Sequence, residues 1–187
     1  VKCSQKSLTK PLINLICGPR SQNTMEHLWT PWRMTYLQSD QPKPDGCIFC
    51  AAVATPDDER TLVLHRGQHC FIILNLYPYN NGHLMIVPFD HSESIEQLPA
   101  EALTEMMTLS QKCLSILRRA YSPQAFNIGI NIGAAAGAGV PGHVHLHIVP
   151  RWAGDTNFMS ALANTRVIPE ELPQTYQRLR ELWQAAM

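Results

Sequence analysis

The sequence predicts an α+β fold built on an antiparallel sheet. Short β-prone runs come in pairs around turn-rich stretches, one long helical pattern separates the pairs, and regular βαβ alternation is absent. The first pair is Cys70-Phe71-Ile72-Ile73-Leu74 and His83-Leu84-Met85-Ile86-Val87, joined by Tyr77-Pro78-Tyr79-Asn80-Asn81-Gly82 and stopped by Pro88. Pro99 opens a helix in which Leu103, Met106, Met107, Ser110, Cys113, Leu114, Leu117 and Tyr121 recur at helical spacing, and Pro123 prevents its continuation. The second pair spans residues 126–132 and 143–149, around a loop of little side-chain bulk over residues 133–142. A final helix is expected over Thr175-Tyr176-Gln177-Arg178-Leu179-Arg180-Glu181-Leu182-Trp183.

The 187 residues suffice for one core of ordinary size. We read residues 25–187 as a single domain and residues 1–24 as a loosely attached extension. Apolar residues make up 45% and charged residues 16%, a globular composition. Basic and acidic side chains number 15 each, which argues against a broad electrostatic grip on nucleic acid or an anionic membrane. A small phosphorylated ligand needs no such imbalance, because backbone amides and histidines bind phosphate locally. No apolar run reaches transmembrane length, and Pro11 and Pro19 argue against a signal peptide. Six unevenly spaced cysteines do not read as a disulfide framework, so a cytoplasmic location is expected.

The chemistry concentrates in His143-Val144-His145-Leu146-His147-Ile148-Val149. On an extended chain His143, His145 and His147 share one face, roughly 6.5–7 Å apart, while Val144, Leu146 and Ile148 turn toward the core. That spacing lets neighbouring imidazoles engage one phosphate or one leaving group. One histidine alone would read as a hydrogen-bonded surface residue; three beside an open Gly/Ala loop read as a site. Gly137, Gly139 and Gly142 permit close backbone approach to a phosphate, although glycine-rich loops are often only turns. Cys47-Ile48-Phe49-Cys50 has the spacing of half a metal site, of a redox dithiol, or of two buried thiols.

The triad run, Gly82-His83 opening an upstream strand, and Asn75 eight residues before it together resemble the histidine-triad family, over about residues 47–151. The resemblance implies a five-stranded antiparallel sheet with a long helix and a C-terminal helix, paired into a homodimer. It implies that His145 is the nucleophile, oriented by the carbonyl next to His143. His147 would contact the phosphate and leaving oxygen, with His83 supporting the cluster. An uncharged imidazole with one free nitrogen is the form suited to that role, and a covalent nucleotidyl-histidine divides one displacement into two. By the same resemblance Asn75 meets the ribose, Phe49, Ile73 and Leu76 line the base slot, Asn131 reaches the α-phosphate, and Gly139 belongs to the phosphate loop. Some members complete a zinc site, which here would be Cys47, Cys50, His91 and His143. Where many members carry Gln or Ser before the first triad histidine, this chain has Gly139-Val140-Pro141-Gly142, which opens its leaving-group preference to question.

Two Trp-rich flanks, His27-Leu28-Trp29-Thr30-Pro31-Trp32-Arg33-Met34 and Pro150-Arg151-Trp152-Ala153-Gly154-Asp155-Thr156-Asn157-Phe158-Met159, resemble bacterial diadenosine tetraphosphate phosphorylase-like members. Trp29, Trp32 and Trp152 would pack over adenine or anchor the chain ends, and Arg151 is a candidate for distal phosphates. The leading expectation is a nucleotidyltransferase acting on dinucleoside polyphosphates, with phosphate as acceptor. The alternatives are a hydrolase of dinucleoside polyphosphates or nucleoside phosphoramidates, a zinc enzyme using the triad as catalytic ligands, and a non-catalytic nucleotide-binding module. The expected partners are a purine nucleotide substrate and a second copy of the chain, and no organic cofactor is implied.

Overall fold

The computed structural model describes residues 46–155 and 170–186. The proposed extension, the boundary at residue 25, both N-terminal tryptophans and Thr156-Asn157-Phe158-Met159 lie outside the described residues. The described chain runs α1 (Ile48–Ala54), α2 (Asp58–Thr61), β1 (Val63–Arg66), β2 (Cys70–Leu74), β3 (Leu84–Pro88), α3 (Ala100–Tyr121), β4 (Ala125–Ile130), β5 (Leu146–Arg151) and α4 (Leu172–Gln184). Single 3-10 turns occupy Ile95–Gln97 and Ala134–Ala136. The five strands form one antiparallel sheet in the order β1-β2-β3-β5-β4, as the α+β reading expected. No described helix is long and apolar enough to cross a membrane.

The central strands β2 and β3 are buried on both faces. On one side Cys70, Ile72, Leu74, Leu84, Ile86, Leu146 and Ile148 pack under α3 and α4. On the other, Phe71, Ile73, Met85 and Val87 gather with Phe49 of α1. Burial on both sides explains why β2 and β3 read as continuous apolar runs rather than as alternation. Along α3 the buried stripe is Ala102, Met106, Leu109, Ser110, Cys113, Ile116 and Leu117. Met107, expected on that face, is instead 58% exposed, because it lies about 100° around the helix from Met106. Leu109 and Ile116 take the places it was assigned. The helix stops where Ser122 turns left-handed and returns its N–H to the Arg118 carbonyl at 3.0 Å, immediately before Pro123.

Two features of α3 fix the loops that carry the site. Gly82 adopts φ +71°, and a Cβ there would stand 2.8 Å from Leu117 Cδ2 and 2.9 Å from Tyr121 Cε2. Only glycine lets the β2–β3 turn press against α3 and deliver His83 to the sheet. Glu105 reaches across to the β1–β2 turn, where its carboxylate accepts the backbone N–H groups of Gln68, His69 and Cys70 at 2.8, 2.5 and 2.8 Å. Partial burial pushes this carboxyl up, but the three N–H groups outweigh it and hold its pKa below the ordinary value. A carboxylate depressed on folding stabilises the fold fully above its unfolded pKa and loses that contribution as pH falls through the lower folded value. Glu105→Gln keeps the shape but offers one acceptor oxygen instead of two. We expect it to cost about 1–3 kcal/mol at neutral pH. Urea midpoints of wild type and variant should converge as pH falls below about 4; a gap that is independent of pH would reject this account.

Candidate active site and metal centre

The triad histidines straddle the start of β5. His147 lies within the ladder, opposite Met85 of β3 and Gly129 of β4. His143 and His145 precede the first paired residue, Leu146, so the expected strand over residues 143–149 is shorter at its beginning. Likewise β4 ends at Ile130, two residues before its expected end. Face alternation persists into residues 143–145, with Val144 buried in the α3-side core, although no neighbouring strand pairs there. The lead-in is held instead by the loop after β3: Val144 N–H donates to the Ser92 carbonyl at 2.6 Å. The His143 Nε2–H donates to the Pro88 carbonyl at 2.9 Å.

These contacts specify three tautomers. The His145 Nδ1–H donates to the His143 carbonyl at 2.8 Å, so its proton is on Nδ1 and the lone pair on Nε2. Burial lowers the His145 pKa, against the opposing pull of that carbonyl, and favours the neutral ring. At His83 the Tyr79 backbone N–H donates to Nδ1 at 3.1 Å, and the Asn75 side-chain amide approaches the same atom at 3.3 Å. The His83 proton therefore sits on Nε2, which donates to His147 Nδ1 at 3.0 Å. His147 in turn carries its proton on Nε2. A backbone amide outside the triad thus sets the protonation of two histidines in series.

His143 faces a different group of residues. With Nε2–H committed to Pro88, its Nδ1 lone pair points at Cys47 Sγ, 3.2 Å away, and Cys50 Sγ, 3.7 Å away. His91 Nδ1 stands 3.4 Å from Cys50 Sγ. One donor atom from each of these four residues lies within 4.8 Å of all the others. A tetrahedral ion with bonds of about 2.3 Å to sulfur and 2.0–2.1 Å to nitrogen would hold its donors roughly 3.3–3.8 Å apart. The arrangement therefore fits a metal, and the four residues are those expected from the sequence. Burial lowers the His143 pKa, ahead of the opposing hydrogen bond to Pro88, which keeps the ring a neutral ligand.

The remaining candidates fall around this centre. Phe49 is 2% exposed and packs its ring against both His143 and His145, at centroid distances of 5.4 and 4.9 Å. Ile73 belongs to the same apolar cluster, whereas Leu76 is 57% exposed beyond the end of β2. The Asn75 amide oxygen accepts the Tyr77 N–H at 2.9 Å, placing this side chain beside His83. Asn131 follows Ile130, the partner of Leu146, and so stands at the level of His145; Gly139 is exposed in the loop between β4 and β5. Arg151 is bound by Asp155 through Nε at 2.5 Å and Nη2 at 2.9 Å, and by Asn127 at 2.6 Å. Asp155 also accepts from Asn80 and the Trp152 N–H, and the Arg151 hydrogen bond leads in pulling its pKa down to about 2. This latch ties the end of β5 to the β2–β3 turn rather than presenting a free guanidinium to phosphate. Sequence reasoning passed over Tyr79, Pro88 and Ser92, which act through backbone atoms rather than through their side chains.

The HIT domain model matches residues 58–154, just over half of the chain. A Mycobacterium tuberculosis protein named AP-4-A phosphorylase is 38% identical over 173 residues, covering 89% of this chain and 88% of the relative. The chain belongs to the HIT family. A Schizosaccharomyces pombe protein named asymmetrical bis(5'-nucleosyl)-tetraphosphatase is 34% identical over 93 residues, half of each chain. Among solved structures, a Zn-bound histidine triad family protein from Mycobacterium smegmatis superposes with TM-score 0.60 at 29% identity, covering 75% of this chain and 96% of that one. The matched HIT domain contains His83, His91 and the triad but begins after Cys47 and Cys50. Half of the candidate metal donors therefore come from the start of α1, Cys47 at its N-cap and Cys50 in its first turn, ahead of the family domain.

Proposed function

We propose that this chain is a nucleotidyltransferase that cleaves diadenosine tetraphosphate with inorganic phosphate, through an adenylyl group on His145. One observation carries the reading: the His143 carbonyl fixes the His145 proton on Nδ1 and leaves the Nε2 lone pair as nucleophile. Nε2 attacks an α-phosphorus, the bond to the bridging oxygen breaks, and ATP departs with the electron pair. His147, protonated on Nε2 through His83, offers a hydrogen bond to the departing oxygen. A phosphate oxygen then attacks the adenylyl phosphorus, the N–P bond breaks, and ADP leaves. Asn75 and Asn131 serve the ribose and α-phosphate, Phe49, Ile73 and Leu76 the base, and Gly139 the phosphate loop.

The 38% identity to the Mycobacterium tuberculosis phosphorylase over most of the chain supports phosphate as acceptor. The half-length similarity to the Schizosaccharomyces pombe tetraphosphatase supports water as the second reading. Both share the first half-reaction, so only the second product separates them. In the same reading Cys47, Cys50, His91 and His143 hold a structural zinc. Four protein donors close a tetrahedral site, which counts against catalytic zinc; of the triad only His143 turns a nitrogen to the thiols. The free thiols Cys47, Cys50, Cys70 and Cys113 suit a reducing cytoplasm. A homodimer paired along β4 would cover an edge strand on which Ile128 is 44% exposed.

The test is product analysis with diadenosine tetraphosphate, on protein sized by light scattering at twice 21.0 kDa. In millimolar phosphate we expect ATP and ADP, with AMP a minor product. AMP as the sole second product at every phosphate concentration would establish the hydrolase instead, and a mass of one chain would refute the dimer.

A further inference from the structure

Cys47 and Cys50 are the two half-buried thiols of the described chain, whereas Cys70 and Cys113 are fully buried. The Cys47 and Cys50 sulfurs lie within 4.8 Å of each other in a C-x-x-C spacing that a disulfide can bridge. They also sit against the one part of the triad that the sheet does not hold. Residues 143–145 precede the β5 ladder and are held by loop contacts instead: the Pro88, Ser92 and Val140 carbonyls, the Phe49 ring and the metal centre. His143 joins that centre to the nucleophile directly, since its ring faces the thiols and its carbonyl receives the His145 proton. Phe49, between the two cysteines in sequence, packs on both histidine rings.

We propose that Cys47 and Cys50 form an oxidation site through which hydrogen peroxide switches the triad off. This rests on the nucleotidyl-histidine reading above. One thiolate attacks the peroxide, whose O–O bond breaks, giving a sulfenic acid and water once the leaving oxygen takes a proton. The second thiolate attacks that sulfur and displaces hydroxide, which is protonated to a second water. Two thiolates, one peroxide and two protons become one disulfide and two waters. Bridged sulfurs lie about 2.0 Å apart, whereas two sulfurs sharing a tetrahedral zinc are roughly 3.8 Å apart. The disulfide and the ion are therefore mutually exclusive, and oxidation removes one of the supports of residues 143–145. A displacement on the order of 1 Å at a nucleophile lowers the chemical step by about 10²-fold. Of the residues assigned to ribose and base, Phe49 and Ile73 share the apolar cluster that Cys47 packs against, whereas Asn75 sits beside His83 and Leu76 lies outside that cluster, so KM should move less than kcat.

The experiment treats zinc-loaded protein with hydrogen peroxide. It then maps the Cys47–Cys50 bridge by peptide mass spectrometry, measures released zinc with a chromogenic chelator, and follows kcat and KM. Expected are one bridge and one zinc released per chain, a fall in kcat of roughly 10–100-fold, retained far-ultraviolet dichroism, and recovery with dithiothreitol plus zinc. Cys50→Asp, which can still ligate zinc but cannot bridge, should carry no bridge after the same treatment and should lose kcat only in the fraction whose Cys47 is oxidised by mass. Unchanged kcat in bridged, zinc-free protein overturns the proposal, as does loss of the sheet on oxidation. Should Cys50→Asp not load zinc, chelating the metal from reduced wild type must reproduce the fall in kcat, and failure to do so overturns it equally. Absence of adenylyl-enzyme in untreated protein would instead strike the catalytic reading itself.

Discussion

His145→Ala is expected to lower turnover of diadenosine tetraphosphate by at least about 10⁴-fold. That factor corresponds to roughly 5.5 kcal/mol of transition-state stabilisation. The reason is chemical: no neighbouring group can take its place. His143 has committed Nε2 to Pro88 and Nδ1 to the thiol cluster, and His147 has committed Nδ1 to His83. On alternation alone, opposite the core-facing Val144 and Leu146, His145 would project into the cleft rather than the core, and its removal would leave the fold intact. The structure instead buries it to 3% exposure against Phe49, so truncation to Ala opens a void and leaves the His143 carbonyl without its donor. Such losses amount to about 1–3 kcal/mol of stability. His145→Asn separates the two effects, because its side-chain amide can still donate to that carbonyl while lacking a nucleophilic nitrogen. It should melt closer to wild type than the Ala variant and be equally inactive. Wild type quenched in acetonitrile should carry one AMP per active chain by mass, and neither variant should. Turnover by either variant near the wild-type rate removes His145 from the mechanism.

Much of this site was legible because its chemistry depends on residue type. Three histidines at alternate positions, one upstream histidine and a C-x-x-C pair are rare combinations, and the structure brings the predicted metal donors together. What could not be read depends on backbone geometry. Alternation reports which face a side chain takes, not whether a neighbouring strand pairs with it, so the lead-in at residues 143–145 looked like strand. β1 escaped notice because only two of its four residues, Val63 and Leu64, are apolar, and its ladder shifts register between Val63 and His65. α1 was hidden by its length: seven residues show too little period to distinguish a helix from a cysteine-bearing loop. Arg151 shows the converse. A basic residue beside a phosphate-handling strand invites a ligand contact, yet Asp155, four residues on, receives it.

The length of α1 also determines how strongly metal removal should act. A helix of seven residues is not stable alone, so its order comes from what it is attached to. Its C-terminal side is held by Arg66, which donates to the carbonyls of Val53 at 2.7 Å and Thr55 at 2.8 Å while pairing with Asp58. Its N-terminal side is held by Phe49 in the core and by the Cys47 and Cys50 donors facing His91 and His143. Because the four donors come together only in the folded chain, metal binding is coupled to folding. At free zinc a thousandfold above Kd the linkage amounts to about 4 kcal/mol. For a chain of this size that is a shift of roughly 8–16 °C in melting temperature. Purified protein should therefore contain one zinc per chain and lose that much thermal stability on chelation, with Cys47→Ser reproducing the loss. Amide exchange should rise first over residues 47–52 and 90–92, while β2, β3 and α3 stay protected and Arg66 keeps the far end of α1 in place. Equal melting curves with and without metal would show that Phe49 and Arg66 alone secure the helix, and the structural-zinc reading would fall with them.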